Sequence, residues 1–272
     1  MLEMSIEYKY GYFSYFGIFG YFVDKKYRYK SNSFNISNYD DIKYLNCLCN
    51  NLIKLPTLPK KLEELHFFGN NLIELPILPN SLKELVCKSN NLIKLPEVLP
   101  NCLVILECSN NKLINLPEII PNSLKKLDCG HNKIINLLQI HPNCLKELDC
   151  SNNNLINLPA LPNSLKELNC GNNNLINLPA LPNSLKELDC GSNKIIHLPQ
   201  INPNSLINLY CYYNKIINLP KLPRSLILLY CSNNKIVNIL NINKNIIYLI
   251  YDKNKIKFIG KLLFEFRYRY KI

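Results

Sequence analysis

Apolar and polar residues alternate along most of this chain in one fixed frame: Leu-x-x-Leu-x-Cys-x-x-Asn, followed by a second apolar cluster and a proline-rich return. Aligned on the first apolar residue, copies begin at Ile42, Leu62, Leu82, Leu103, Leu124, Leu145, Leu165, Leu185, Leu206, Leu226 and Ile246, in steps of 20 or 21. Self-similarity at this period predicts a solenoid. Counting from that first residue, Leu168 at position 4 and Cys170 at position 6 flank the polar Asn169. That is the period-2 signature of a half-buried strand. Each unit therefore supplies one short strand. No unit can bury its apolar side alone, so eleven of them stack strands about 4.8 Å apart into a parallel sheet on an arc of roughly 50 Å.

Position 9 is asparagine in every unit, from Asn50 to Asn254. Its side chain carries both donor and acceptor, so it can satisfy backbone groups that a turn leaves unpaired. Stacked at the repeat spacing, these asparagines predict a ladder. All 17 prolines lie inside the repeats, chiefly as LPxLP, as at Pro159 with Pro162. Proline removes donors and fixes φ, so the return is extended or polyproline II rather than helical. Where the step is 21, the extra residue falls beside the prolines, as in Pro96-Glu97-Val98-Leu99-Pro100. It should sit on the convex side and spare the strand register.

With these motifs, residues 42–261 resemble a leucine-rich repeat solenoid of the shortest class, the kind found in secreted bacterial effectors. The resemblance implies a curved parallel sheet on the concave face, used to contact a protein partner. Residues 1–41 form an aromatic-rich flank with a hairpin expected near Val23-Asp24-Lys25-Lys26. Residues 262–272 alternate aromatic and basic residues and read as a closing edge strand. Heavy use of Asn, Ile, Lys and Tyr with only four arginines also resembles the coding of giant viruses. Effectors of this class that act as ubiquitin ligases carry a large catalytic domain, for which about a dozen residues after the repeats leave no room. A related adaptor without ligase activity is the effector-like alternative.

Twelve cysteines change the picture little, because nine occupy the inward position 6, where cysteine behaves as a small hydrophobe. Cys102 and Cys144 replace the serine of the recurrent PNSL, another small-residue slot, and Cys49 is the one expected to face out. Neither CxxC nor a zinc spacing of Cys and His occurs. No catalytic residue, metal or cofactor is expected. With no leader or membrane span evident, the protein is expected to be intracellular, in the host cytoplasm if viral. The formal charge is +12, of which +6 lies in the thirty residues from Asn243. That basic tail, interleaved with aromatics, makes nucleic-acid or anionic-surface binding a further alternative. Lysines elsewhere in the loops serve solubility.

Contact residues should occupy positions 2, 3, 5, 7 and 8. In the middle units these are charged: Lys146, Glu147 and Asp149, then Lys166 and Glu167, then Lys186, Glu187 and Asp189. From Leu206 onward they turn apolar and aromatic, with Tyr210, Tyr212, Tyr213, Tyr230 and Tyr248. Exposed tyrosines are frequent interface anchors. The tyrosines are therefore candidate partner anchors, and Glu147, Asp149, Glu167, Glu187 and Asp189 are candidates for charge selection.

Overall fold

The structure, a computed structural model, describes residues 39–256 except 56, 138–142, 202–204, 240–241 and 243–244. It also describes the strands Glu3–Ile6, Tyr27–Lys30 and Phe258–Ile259. Each unit contributes one strand of three residues at positions 3 to 5, from Tyr44–Asn46 to Tyr248–Ile250, in a single parallel sheet of eleven strands. Like positions face each other throughout. Glu64 pairs with Glu84 across a 20-residue step, and Glu84 with Ile105 across a 21-residue step. The extra residue is thus absorbed on the convex side, as its place beside the prolines predicts. Among the described residues the return segments contain no helix, and the single helix is the 3-10 turn Tyr39–Asp41.

Stacking closes a long, thin core. Positions 1, 4, 6 and 11 point inward, and in the seventh unit Leu165, Leu168, Cys170 and Leu175 are at most 1% exposed. Each such leucine contributes roughly 1.5–3 kcal/mol of burial. Position 6 holds a thiol in nine units and the fully buried Phe67 in the second. Cys102 fills the serine slot as expected: its thiol points at the carbonyls of Asn80 and Leu82, just as Ser81 Oγ donates to Lys60 and Leu62.

The asparagine ladder exists and joins neighbouring units. Asn173 Nδ2 donates to the carbonyls of Cys170 and Gly171 in its own unit and of Cys150 in the unit before. Its Oδ1 accepts the N–H of Leu155. Just ahead of this asparagine, position 8 is left-handed in all eleven units, with φ between 46° and 71°. This residue swings the chain out of the strand. Gly69 and the four asparagines Asn110, Asn152, Asn172 and Asn233 are of the types that tolerate that region best.

Ahead of the repeats, Glu3–Ile6 pairs antiparallel with Tyr27–Lys30. The turn expected near residues 23–26 lies outside the described residues, as does the expected edge strand at 262–272. No helix among the described residues is long and apolar enough to cross a membrane.

Candidate functional site

Because like positions stack, each exposed position becomes a column across the sheet. Position 3 runs Glu147, Glu167, Glu187, Asn208, Leu228, Tyr248, and position 5 runs Glu107, Asp128, Asp149, Asn169, Asp189, Tyr210, Tyr230, Ile250. The face is acidic in the middle and aromatic towards the last units.

The candidate carboxylates divide by position. At position 5, Asp149 Oδ1 accepts the N–H of Ser151 at 2.9 Å and Asp189 Oδ1 that of Gly191 at 2.8 Å. Asp128 and Asn169 do the same for Gly130 and Gly171. These are Asx turns that end the strand. Asp149 and Asp189 are therefore turn caps as well as surface charges, a role that the sequence reading did not assign. Asp149 is further tied to Asn169 Nδ2 at 3.0 Å. At position 3, Glu187 accepts a bond from Asn208. Glu147 and Glu167 have no hydrogen bond or ion pair among the described residues. Burial raises the Glu167 pKa, and the charges of Glu147 and Glu187 on either side raise it further, against Lys126 and Lys186. Asp189 is likewise raised by burial, with Asp149 and Glu187 adding to it and the Gly191 N–H opposing. Lys146, Lys166 and Lys186 border the row, exposed at position 2.

Four of the five candidate tyrosines form one cluster. Tyr210 lies opposite Tyr230 in the register. Tyr212 stacks on Tyr230 with ring centroids 4.6 Å apart and meets Tyr213 edge-on at 6.1 Å. The Tyr212 ring also covers Gly191, where an added methyl would strike it. Tyr213 is 54% exposed. Tyr248 is outside this column, beside Leu228 at position 3. The cluster abuts the acids: burial first, then Glu187 and Asp189, raise the pKa of Tyr210.

Two features were missed in the sequence. Glu107 is held by Lys88 at 2.5 Å and Lys126 at 2.7 Å. Burial alone would raise its pKa, but the two ammonium groups outweigh burial and lower it. Only the register reveals this bridge across three units. The second is Glu64, His66 and Glu84, whose possible ligand atoms lie within 4.8 Å of one another. Both ring nitrogens of His66 already have protein partners, Nε2 with Glu84 at 3.0 Å and Nδ1 with the Tyr44 hydroxyl at 3.4 Å. The cluster is thus accounted for without an ion. The inward thiols are no better suited to chemistry, since burial raises their pKa, to about 12 at Cys47 and Cys231.

No family model matches the chain, and no curated protein does. Among solved structures it is similar to YopM from Yersinia enterocolitica, at 32% identity and a TM-score of 0.71, over 82% of this chain and 58% of that one. It is also similar to the leucine-rich effector YopM from Yersinia pestis, at 29% and 0.54, over 82% of this chain and 80% of that one. The functional domain of InlJ from Listeria monocytogenes, which includes a cysteine ladder, matches at 23% and 0.54 over 81% and 60% of the two chains, a likeness of fold. The chain thus spans 58% of the length of the Yersinia enterocolitica protein.

Proposed function

The chain is a leucine-rich repeat protein, and from that premise we propose that it works by binding a protein partner on its concave face, without catalysis of its own. The observation that carries this reading is the Tyr210–Tyr212–Tyr213–Tyr230 cluster, with Tyr213 exposed and the other three half-buried, running directly into a row of glutamates, two of them unpaired among the described residues. Contiguous apolar surface with a polar border suits an interface core and rim. Tyrosines supply large contact area at small entropic cost. The neighbouring carboxylates repel one another and would gain from meeting lysine or arginine. The partner is therefore a protein offering an apolar anchor beside basic residues. Tyr248 and Asp149 extend the same surface at its two ends, and Asp189 joins its halves. The sheet is held by the core and the asparagine ladder, so little ordering is needed on binding.

An adaptor role of the effector kind is consistent with the likeness to YopM. The test is capture from host-cell lysate with the wild-type chain and with Tyr210→Ala/Tyr230→Ala, scored by mass spectrometry and followed by direct titration of the purified hit. A partner bound at least tenfold more weakly by the variant, with unchanged circular dichroism, supports the assignment. Equal binding by both removes the aromatic cluster from the interface.

A further inference from the structure

Beyond the turn, a second apolar surface runs the length of the solenoid. In the segment after the ladder asparagine, position 11 points into the core and position 12 points out. Position 12 is isoleucine in nine successive units, from Ile53 through Ile135 to Ile217, and each is 38–75% exposed. These segments are themselves laddered: the N–H at position 10 donates to the carbonyl at position 11 of the preceding unit, as Lys133 to Leu113 and Asn174 to Leu155, both at 2.8 Å. The isoleucines therefore form one column at the repeat spacing, on a different surface from the tyrosine cluster. Packing within one chain gives no reason for this residue, since the side chains face away from the core.

Nine half-exposed isoleucines present on the order of 800 Å² of apolar surface. A typical monomer's largest patch is about 300–600 Å². About 800 Å² is also what each side contributes to a standard stable interface. We propose that this column is a self-association surface, on which a second copy of the chain docks its own isoleucine column. The spacing selects that occupant. Rungs set one strand apart along the parallel sheet are matched rung for rung over their whole length by an identical ladder, which lets like side chains interdigitate. The rim agrees. In the two units around Ile156 and Ile176 the flanking positions 10 and 13 are all asparagine, Asn154, Asn157, Asn174 and Asn177. The other units carry one charge each, Lys54, Glu74 and Lys94 at position 13 and Lys112, Lys133, Lys194 and Lys215 at position 10. Two copies docked unit for unit with position 10 of one against position 13 of the other therefore oppose no like charges, and asparagine can both donate to and accept from its own kind.

Sedimentation equilibrium of the purified full chain tests this. The wild type should sediment as a dimer of the 31.6 kDa chain, and Ile135→Lys/Ile156→Lys as a monomer with unchanged circular dichroism. Tyr210→Ala/Tyr230→Ala should remain dimeric, which separates this surface from the concave face. Should the lysine pair fail to fold, Ile135→Asn/Ile156→Asn takes its place, with dimer dissociation strengthened at least tenfold. A wild type that stays monomeric at 100 µM overturns the proposal, and so does a dimer indifferent to either pair. A monomer that instead floats with phosphatidylcholine vesicles also overturns it, assigning the column to a lipid surface.

Discussion

Removing one rung of the asparagine ladder should be costly in the middle of the solenoid and nearly free at its first unit. In Asn173→Ala the carbonyls of Cys150, Cys170 and Gly171 each lose a donor but keep another, from Asn153 Nδ2, Asn193 Nδ2 and the Asn152 N–H respectively. The buried N–H of Leu155 loses its only acceptor. One orphaned buried donor costs about 1–3 kcal/mol and each lost second bond a fraction of one, for a total near 3 kcal/mol. Asn50 offers an internal control, because its buried Nδ2 has no partner to lose; Asn50→Ala should stay within about 0.5 kcal/mol of wild type. Asn173→Asp keeps the acceptor for Leu155 but turns a charged oxygen towards three carbonyls, so it should be worse than alanine. Urea unfolding followed by far-UV circular dichroism measures all three. Hydrogen exchange at the Leu155 amide provides a local reading if unfolding is not two-state. A loss below about 1 kcal/mol at Asn173, or equal losses at Asn173 and Asn50, would refute the reasoning.

Gly191→Ala should push the Tyr212 ring off the sheet and break its stack on Tyr230, weakening the near-ultraviolet tyrosine dichroism at a cost of about 1 kcal/mol. Adding Tyr212→Ala should recover most of the stability. The folded pKa values of Asp128, Glu167 and Asp189 are all raised, by burial first. As pH falls from 7 towards their unfolded values, the folded state takes up these protons before the unfolded state does, so Tm should rise on mild acidification. Below the unfolded carboxylate range the trend should reverse, because Glu107 and Glu63 have lowered values, Glu63 at about 2 through Lys43 and Lys83. A Tm that falls steadily from pH 7 to 5 contradicts this. A thiol reagent should modify Cys49 and Cys144 rapidly in the native protein, Cys102 more slowly, and the nine inward thiols only on unfolding. Tyr213→Asn should raise stability by about 1 kcal/mol by relieving a bulky residue at φ 46°, while weakening partner binding.

The repeat frame made the fold readable almost completely: eleven strands, their register, the ladder and the placement of extra residues beside the prolines all follow from spacing. What escaped were features that depend on where a side chain points or on what stands in the next unit. Ile135 belongs to a run of apolar residues, Ile134, Ile135 and Leu137, that reads as uniformly core. Only the extended geometry after the turn sends position 11 inward and position 12 out. Glu107 looks like any strand acid until the register sets Lys88 and Lys126 on either side of it. Asp149 and Asp189 were read as surface charge, and their bonds to the N–H two residues on give them a local task as well.

That local task bears on the aromatic end of the face. Where position 5 is Asp or Asn, its side chain caps the N–H at position 7, as at Asp128, Asp149, Asn169 and Asp189. Tyr210 and Tyr230, like His66, Val86, Glu107 and Ile250 in other units, cannot supply that cap, and Tyr213 places a bulky residue where neighbouring units have Ser192 and Asn233 in the left-handed region. All three departures work against the turn that every other element of the unit supports, and they fall in two adjacent units. The turn itself gains nothing from them. The rings they bring together, Tyr212 on Tyr230 beside Tyr213 and next to Asp189, offer a reason: an exposed surface fit for a partner, at a site that gives up part of its stability to hold it.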